Sequence, residues 1–164
     1  MIADDGDIRR GAGFSRCKRY RYWLSRTWDA SGEYCLFIGL NPSTADAQVD
    51  DPTIRRIMGF AHSWGYGGVI VANLFAWRAT RPEDLKRALD PVGPRNNYWL
   101  RRLASESNAV IAAWGNEGGF RQRDQYVLKR IPQLKCLGVT SQGYPRHPLY
   151  VRKSVTPERL SASI

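Results

Sequence analysis

Four short apolar runs, each stopping at a polar or glycine-bearing turn, constrain the fold of this chain more than any other feature. Leu36-Phe37-Ile38 runs into Gly39-Leu40-Asn41-Pro42-Ser43, and Val69-Ile70-Val71-Ala72 runs into Asn73. Ala109-Val110-Ile111-Ala112-Ala113 ends at Trp114-Gly115-Asn116, and the run from Leu134 to Val139 ends at Thr140. Amphipathic segments with helical spacing separate them: Pro52 to Trp64, Pro82 to Leu89, Pro94 to Ala104 and Phe120 to Ile131. Strands alternating with helices imply right-handed βαβ units. The expected architecture is therefore α/β, a three-layer α/β/α arrangement around a central four-stranded, mainly parallel sheet. An N-terminal antiparallel strand is added to it: Tyr20 to Trp28 reads as one arm of a hairpin that turns at Asp29-Ala30-Ser31-Gly32 into the strand at Tyr34.

Open parallel sheets bind ligands beyond the carboxyl ends of their strands, where loops and helix N-termini converge. Asn41, Asn73, Asn116 and the loop after Thr140 are thus expected on one rim, with Gly39, Leu40, Pro42 and Ser43 forming the turn that carries Asn41. Because Asn41 precedes Pro42, its backbone is biased toward an extended conformation and its amide projects from the strand end. That amide either orients a water or carbonyl, or caps its own turn. Asp50-Asp51-Pro52-Thr53 reads as a helix start in which one aspartate is the N-cap. The other, with Asp46, leaves a carboxylate available as a base, with Asp46 and Asp51 the auxiliary candidates. Ser43 and Thr44 offer hydroxyls to the same place.

Two further segments reach this rim. His147 lies in Gly143-Tyr144-Pro145-Arg146-His147-Pro148-Leu149-Tyr150, a loop stiffened by two prolines after the last strand. An imidazole there can donate to a carbonyl or a leaving group, and Arg146 and Arg152 suit phosphate contacts. Trp77 and Arg78, after the Asn73 strand, can stack on or clamp a nucleotide, or Trp77 can belong to the core.

The length of 164 residues and 43% hydrophobic content fit one domain with a real core. A formal net charge of +10 and a pI near 10.0 point to a polyanionic partner. Between Arg9 and Trp28 there are seven basic residues and no acidic one, interleaved with Tyr20, Tyr22, Trp23 and Trp28. This is the mixture of a surface that stacks on bases and tracks phosphates, with Arg19 and Arg21 as backbone contacts. It is also the mixture of a hairpin with solvated arginines and packed aromatics. DNA is the expected partner and a monomer the expected state. The widely spaced Cys17, Cys35 and Cys136 and the two histidines form no metal-ligand pattern, so neither a metal nor another cofactor is expected. No apolar stretch is long enough to span a membrane and the N-terminus has no apolar signal region, so a cytoplasmic location is expected. Residues 1–13 and 160–164 read as loose ends.

Taken with those residues, the segment from Tyr20 to about Val151 resembles the DUF1643 family, which looks like a branch of the uracil-DNA glycosylase-like superfamily. Gly39-Leu40-Asn41-Pro42-Ser43 is similar to the first glycosylase motif, above all to the Gly-Ile-Asn-Pro form of mismatch-specific enzymes. The resemblance implies that Asn41 positions an attacking water. It implies that Asn73 reads the edge of a flipped pyrimidine, and that His147-Pro148 opens the last motif and stabilises the departing base. The implied activity is cleavage of the N-glycosidic bond of a damaged or modified base, with base flipping assisted by the cationic surface. A non-catalytic module that recognises a modified base, and an enzyme acting on a free nucleotide or nucleoside, are the alternatives.

Overall fold

The computed structural model describes residues 7–160. Seven strands form one sheet: β1 (Arg9–Phe14), β2 (Arg21–Thr27), β3 (Tyr34–Gly39), β4 (Gly68–Asn73), β5 (Ala109–Ala112), β6 (Lys135–Cys136) and β7 (Glu158–Arg159). Their spatial order is β1-β2-β4-β3-β5-β6-β7. The β4–β3, β3–β5 and β5–β6 pairings are parallel, whereas β1–β2, β2–β4 and β6–β7 are antiparallel. The expected four-stranded, mainly parallel sheet with one added strand is therefore corrected to a seven-stranded mixed sheet whose two edges are antiparallel. The edge strands escape a search for apolar runs because β1 is arginine- and glycine-rich and β7 has only two residues.

Arg9–Phe14 is thus a strand and not part of a frayed arm, and Leu160 donates its backbone N–H to the Leu134 carbonyl. Positions 1–6 and 161–164 of the expected loose ends lie outside the described residues. The expected β2–β3 hairpin is also corrected, because β4 lies between those strands. Residues Cys35 to Ile38 of β3 are fully buried, which requires neighbours and cover on both sides, and β3 takes the centre of the sheet. The Asp29–Glu33 turn instead folds over Gly67. A Cβ on Gly67 would stand 2.1 Å from the Asp29 carbonyl oxygen, so only glycine lets the two segments pass.

The alternation along β3 divides the core. Cys35 and Phe37 join the cluster covered by α1 (Pro52–Ser63), through Ile54, Ile57, Met58, Phe60 and Ala61. Leu36 and Ile38 join the opposite cluster, covered by α2 (Pro82–Arg87), α3 (Asn96–Glu106) and α4 (Arg123–Arg130) through Leu85, Leu100, Leu103 and Val127. Each such fully buried side chain contributes roughly 1.5–3 kcal/mol of burial free energy. The helix expected from Phe120 starts only at Arg123, because Arg121 and Gln122 take left-handed φ values of 52° and 56° after a 3₁₀ turn. The last apolar run pairs only at Lys135–Cys136, since Gly138 at φ 100° bends the chain toward the bridge between Val139 and Pro145. No helix among the described residues is long and apolar enough to cross a membrane.

Candidate functional site

Parallel pairing sets Gly39 opposite Asn73 at the carboxyl end of β3 and β4. Asn73 is buried at 4% exposure, and its backbone is held from behind. The Asn96 side chain donates to the carbonyls of both Asn73 and Leu74 at 3.0 Å, and Arg123 donates twice more to Leu74 at 3.0 and 3.1 Å. The Asn73 side-chain oxygen accepts from Arg21 Nη2 at 3.4 Å. This orients Nδ2 the other way, toward Gly39, where a Cβ would stand 3.0 Å from it. Among the described residues Nδ2 donates to no protein group, so Asn73 presents a fixed donor at the carboxyl end of the sheet.

Arg21, expected at the surface against a nucleic-acid backbone, is instead 2% exposed and lies against the Asn73 side chain. Its Nη1 donates to the Ala45 carbonyl at 3.0 Å, while Nε has no hydrogen-bond partner. Burial brings its pKa down to about 10, partly offset by the Asp51 carboxylate, so it is charged at neutral pH. Arg26 on the same strand is buried equally deeply but is fully engaged: it pairs with Asp50 at 2.9 Å and donates to the carbonyls of Ser25 and Asp46. Sequence reasoning missed this difference, because two arginines on one strand look alike until their partners from the 45–50 loop are in place.

The Asn41 amide is braced within the loops. Its Nδ2 donates to the carbonyls of Ala79 at 2.8 Å, Pro42 at 3.2 Å and Trp77 at 3.4 Å. Three carbonyl oxygens around one atom require that atom to be the nitrogen, so the amide oxygen faces away from them as an acceptor. Leu40 and Gly39 accept backbone hydrogen bonds from Phe75 and Leu74, which ties this turn to the β4 exit. Pro42 is buried and Ser43 is half-buried.

His147 starts a 3₁₀ turn, Pro148–Tyr150, and its Nδ1 accepts from the Leu149 backbone N–H at 3.2 Å. The remaining ring nitrogen, Nε2, then carries the proton. Desolvation lowers the His147 pKa, partly countered by the Asp51 carboxylate, so the ring is a neutral donor near pH 7. Its loop meets the β5 exit where Gly115 donates to the Pro145 carbonyl and a Gly115 Cβ would lie 4.0 Å from the His147 Cβ. Asp51 caps α1 by accepting from Ile54 N at 2.9 Å and acts electrostatically on both Arg21 and His147. It is the aspartate that caps, while Asp50 binds Arg10 and Arg26. Asp46 accepts from the N–H groups of Gln48 and Val49 at 2.8 Å each, which holds its carboxyl below the usual range. Asp46 thereby closes its own turn. Asn116 is exposed and accepts from the Thr140 hydroxyl at 2.7 Å, joining the β5 exit to the loop after β6.

Beside Asn41 opens a cleft of about 790 Å³, walled by Ser43, Thr44, Trp77 and Arg78 and by Arg19 from the β1–β2 connection. Arg146 and Arg152 lie apart from it, along a smaller cleft of about 300 Å³ next to Tyr150. Among the described residues no group of three His, Cys, Asp or Glu side chains gathers in a metal-binding arrangement, and Cys17, Cys35 and Cys136 are free thiols.

No curated protein and no solved structure matches the chain. A family model described as "Protein of unknown function (DUF1643)" matches residues 21–149, which contain Arg21, Asn41, Asn73 and His147. That match spans most of the chain, from the start of β2 to the 3₁₀ turn at His147, and the protein therefore belongs to the DUF1643 family.

Proposed function

We propose that this protein is a nucleic-acid base-recognising hydrolase that cleaves the N-glycosidic bond of a damaged or modified base. The observation that carries the reading is the placement of three differently polarised groups toward the same end of one sheet. Asn73 offers a fixed donor, Asn41 a fixed acceptor and His147 a neutral imidazole donor. In glycoside cleavage water attacks the anomeric carbon, the C–N bond breaks and its electron pair leaves with the base. The Asn41 amide oxygen suits the attacking water, and the Asn73 Nδ2 suits a carbonyl on the base edge. The His147 Nε2–H suits the charge developing on the leaving base. The net charge of +10 supports DNA as the partner, and the reading carries with it a cytoplasmic monomer.

A second reading, a base-binding module without turnover, is favoured by one observation. The Asn41 amide is engaged with three loop carbonyls, as a purely structural brace would be. The two readings separate when the purified protein is incubated with DNA carrying uracil, hypoxanthine or bulkier modified bases and free base is sought by mass spectrometry. Release by the wild type that falls at least tenfold in His147→Gln supports the hydrolase. Binding to modified DNA with no base released from any substrate supports the module.

A further inference from the structure

The cleft beside Asn41 holds more positive charge than the protein itself balances. Lys18, Arg19, Arg78 and Arg87 line it, against one acidic lining residue, Asp84. Among the described residues none of these four cations makes an ion pair. Lys18, Arg19 and Arg87 are exposed, so they retain charge and water until something covers them. The walls are nevertheless built and not loose. Arg78 donates through its backbone N–H to Arg19 and through Nη1 to the Lys18 carbonyl at 3.2 Å. Its guanidinium lies 4.9 Å from the Phe14 ring centroid, and the Lys18 ammonium lies 5.4 Å from the same ring. One aromatic ring thus anchors two of the cleft's cations.

The cleft is also attached to the candidate site. Trp77 and Ala79 line it, and their carbonyls accept from Asn41 Nδ2. Ser43 and Thr44 add hydroxyls two and three residues after Asn41. Lys18 and Arg19, half of the cations, lie before residue 21, outside the segment that matches the family. The basic side around Arg146 and Arg152 has no such link to Asn41.

We propose that this cleft is the track for the phosphodiester groups of a nucleic-acid strand, seating the phosphates beside Asn41 and next to the base held at Asn73. Residues 14–19 add half of that grip to the family's own part of the site. The assignment rests on the nucleic-acid reading above but not on turnover. A row of cations binds a strand by releasing its condensed counterions, and each lost contact lowers the salt dependence by about 0.7 for a single strand.

The test is fluorescence anisotropy with an undamaged single-stranded oligonucleotide, over salt from about 50 to about 200 mM. Lys18→Glu/Arg19→Glu is compared with Arg146→Glu/Arg152→Glu, which makes the same change in net charge elsewhere on the surface. Arg78→Gln tests the cation that shares the Phe14 ring with Lys18, and unfolding midpoints verify that each variant folds. Expected are at least tenfold weaker binding and a salt slope reduced by about 1–2 for the Lys18/Arg19 pair. Arg78→Gln should weaken binding several-fold, and the Arg146/Arg152 pair should lose less than about threefold. Equal losses for the two double variants would show a general charge effect and overturn the cleft assignment. So would a mononucleotide that binds as tightly as the oligonucleotide, because it would assign the cations to a free nucleotide. Since no base need be released in this assay, a failed hydrolase test and a failed cleft test remain separate results.

Discussion

Arg21 donates from Nη2 to the side-chain oxygen of Asn73 at 3.4 Å, a contact between residues 52 positions apart that fixes which end of the asparagine amide faces Gly39. A guanidinium has donors only, so turning the amide over would set donor against donor. Arg21 therefore acts on any ligand at Asn73 through orientation. Its incomplete hydrogen bonding leaves a buried positive charge next to Asn73.

Arg21 and Arg26 should respond differently to the same change. Arg21→Met removes a buried charge that makes no ion pair among the described residues and leaves the Ala45 carbonyl without its donor, a loss of about 1–3 kcal/mol. Arg26→Met leaves the Ser25 and Asp46 carbonyls without their donor and Asp50 with Arg10 as its remaining partner, and should cost more than Arg21→Met, toward the roughly 3–5 kcal/mol of a broken buried pair. Urea unfolding of both variants measures the difference. If Arg21→Met were the more damaging, Arg21 would be a structural residue first.

At Asn41, the three surrounding carbonyls make chemistry more important than size. Asn41→Ala loses the brace between the first turn and the Trp77–Ala79 loop and should cost about 1–3 kcal/mol. Asn41→Asp sets a carboxylate oxygen against the same carbonyls and should be less stable than Asn41→Ala at pH 7, despite its nearly identical shape. Thermal unfolding of the two variants side by side decides it, and an Asp variant as stable as wild type would contradict the hydrogen-bond assignment.

Gly39→Ala should impair the site with little effect on the fold. Its Cβ would approach Asn73 Nδ2 to 3.0 Å, and the amide must give way by a few tenths of an ångström. Binding of modified-base DNA should weaken about tenfold while the unfolding midpoint moves only slightly. Wild-type affinity in this variant would mean that Nδ2 does not contact the ligand.

His147 links the site to pH. Its folded pKa lies below the ordinary value of 6.5, so the native state disfavours the proton relative to the unfolded chain. The resulting stability is fully present above about pH 6.5 and is lost as pH falls through the folded pKa. Urea unfolding from pH 8 downward should show this loss, and His147→Gln should flatten the part that belongs to this residue. An unchanged slope in the variant would assign the acid sensitivity to other groups.

Each apolar run does hold a strand, and each amphipathic segment a helix, because burial periodicity is written locally along the chain. Asp51-Pro52 likewise marks the start of α1 in the residues themselves. Sheet order is not local. β2 pairs with β4 because both edges of β3 are taken by β4 and β5, and β1 and β7 become strands only because edges are offered to them. The site divides along the same line. Asn41, Asn73 and His147 were legible as polar residues at the ends of apolar runs or after them, since strand direction alone carries such residues toward one rim. Their roles depended on long-range partners: carbonyls from 77–79 around Asn41, Arg21 on Asn73, and Thr140 on Asn116. The sequence by itself determined the alternation of strands and helices, the apolar core and the excess of positive charge. Only the tertiary structure decided which arginine is buried without a counterion, which aspartate caps a helix and which cations face a common cleft. Those properties depend on distances between residues far apart in the chain, and short-range pattern does not contain them.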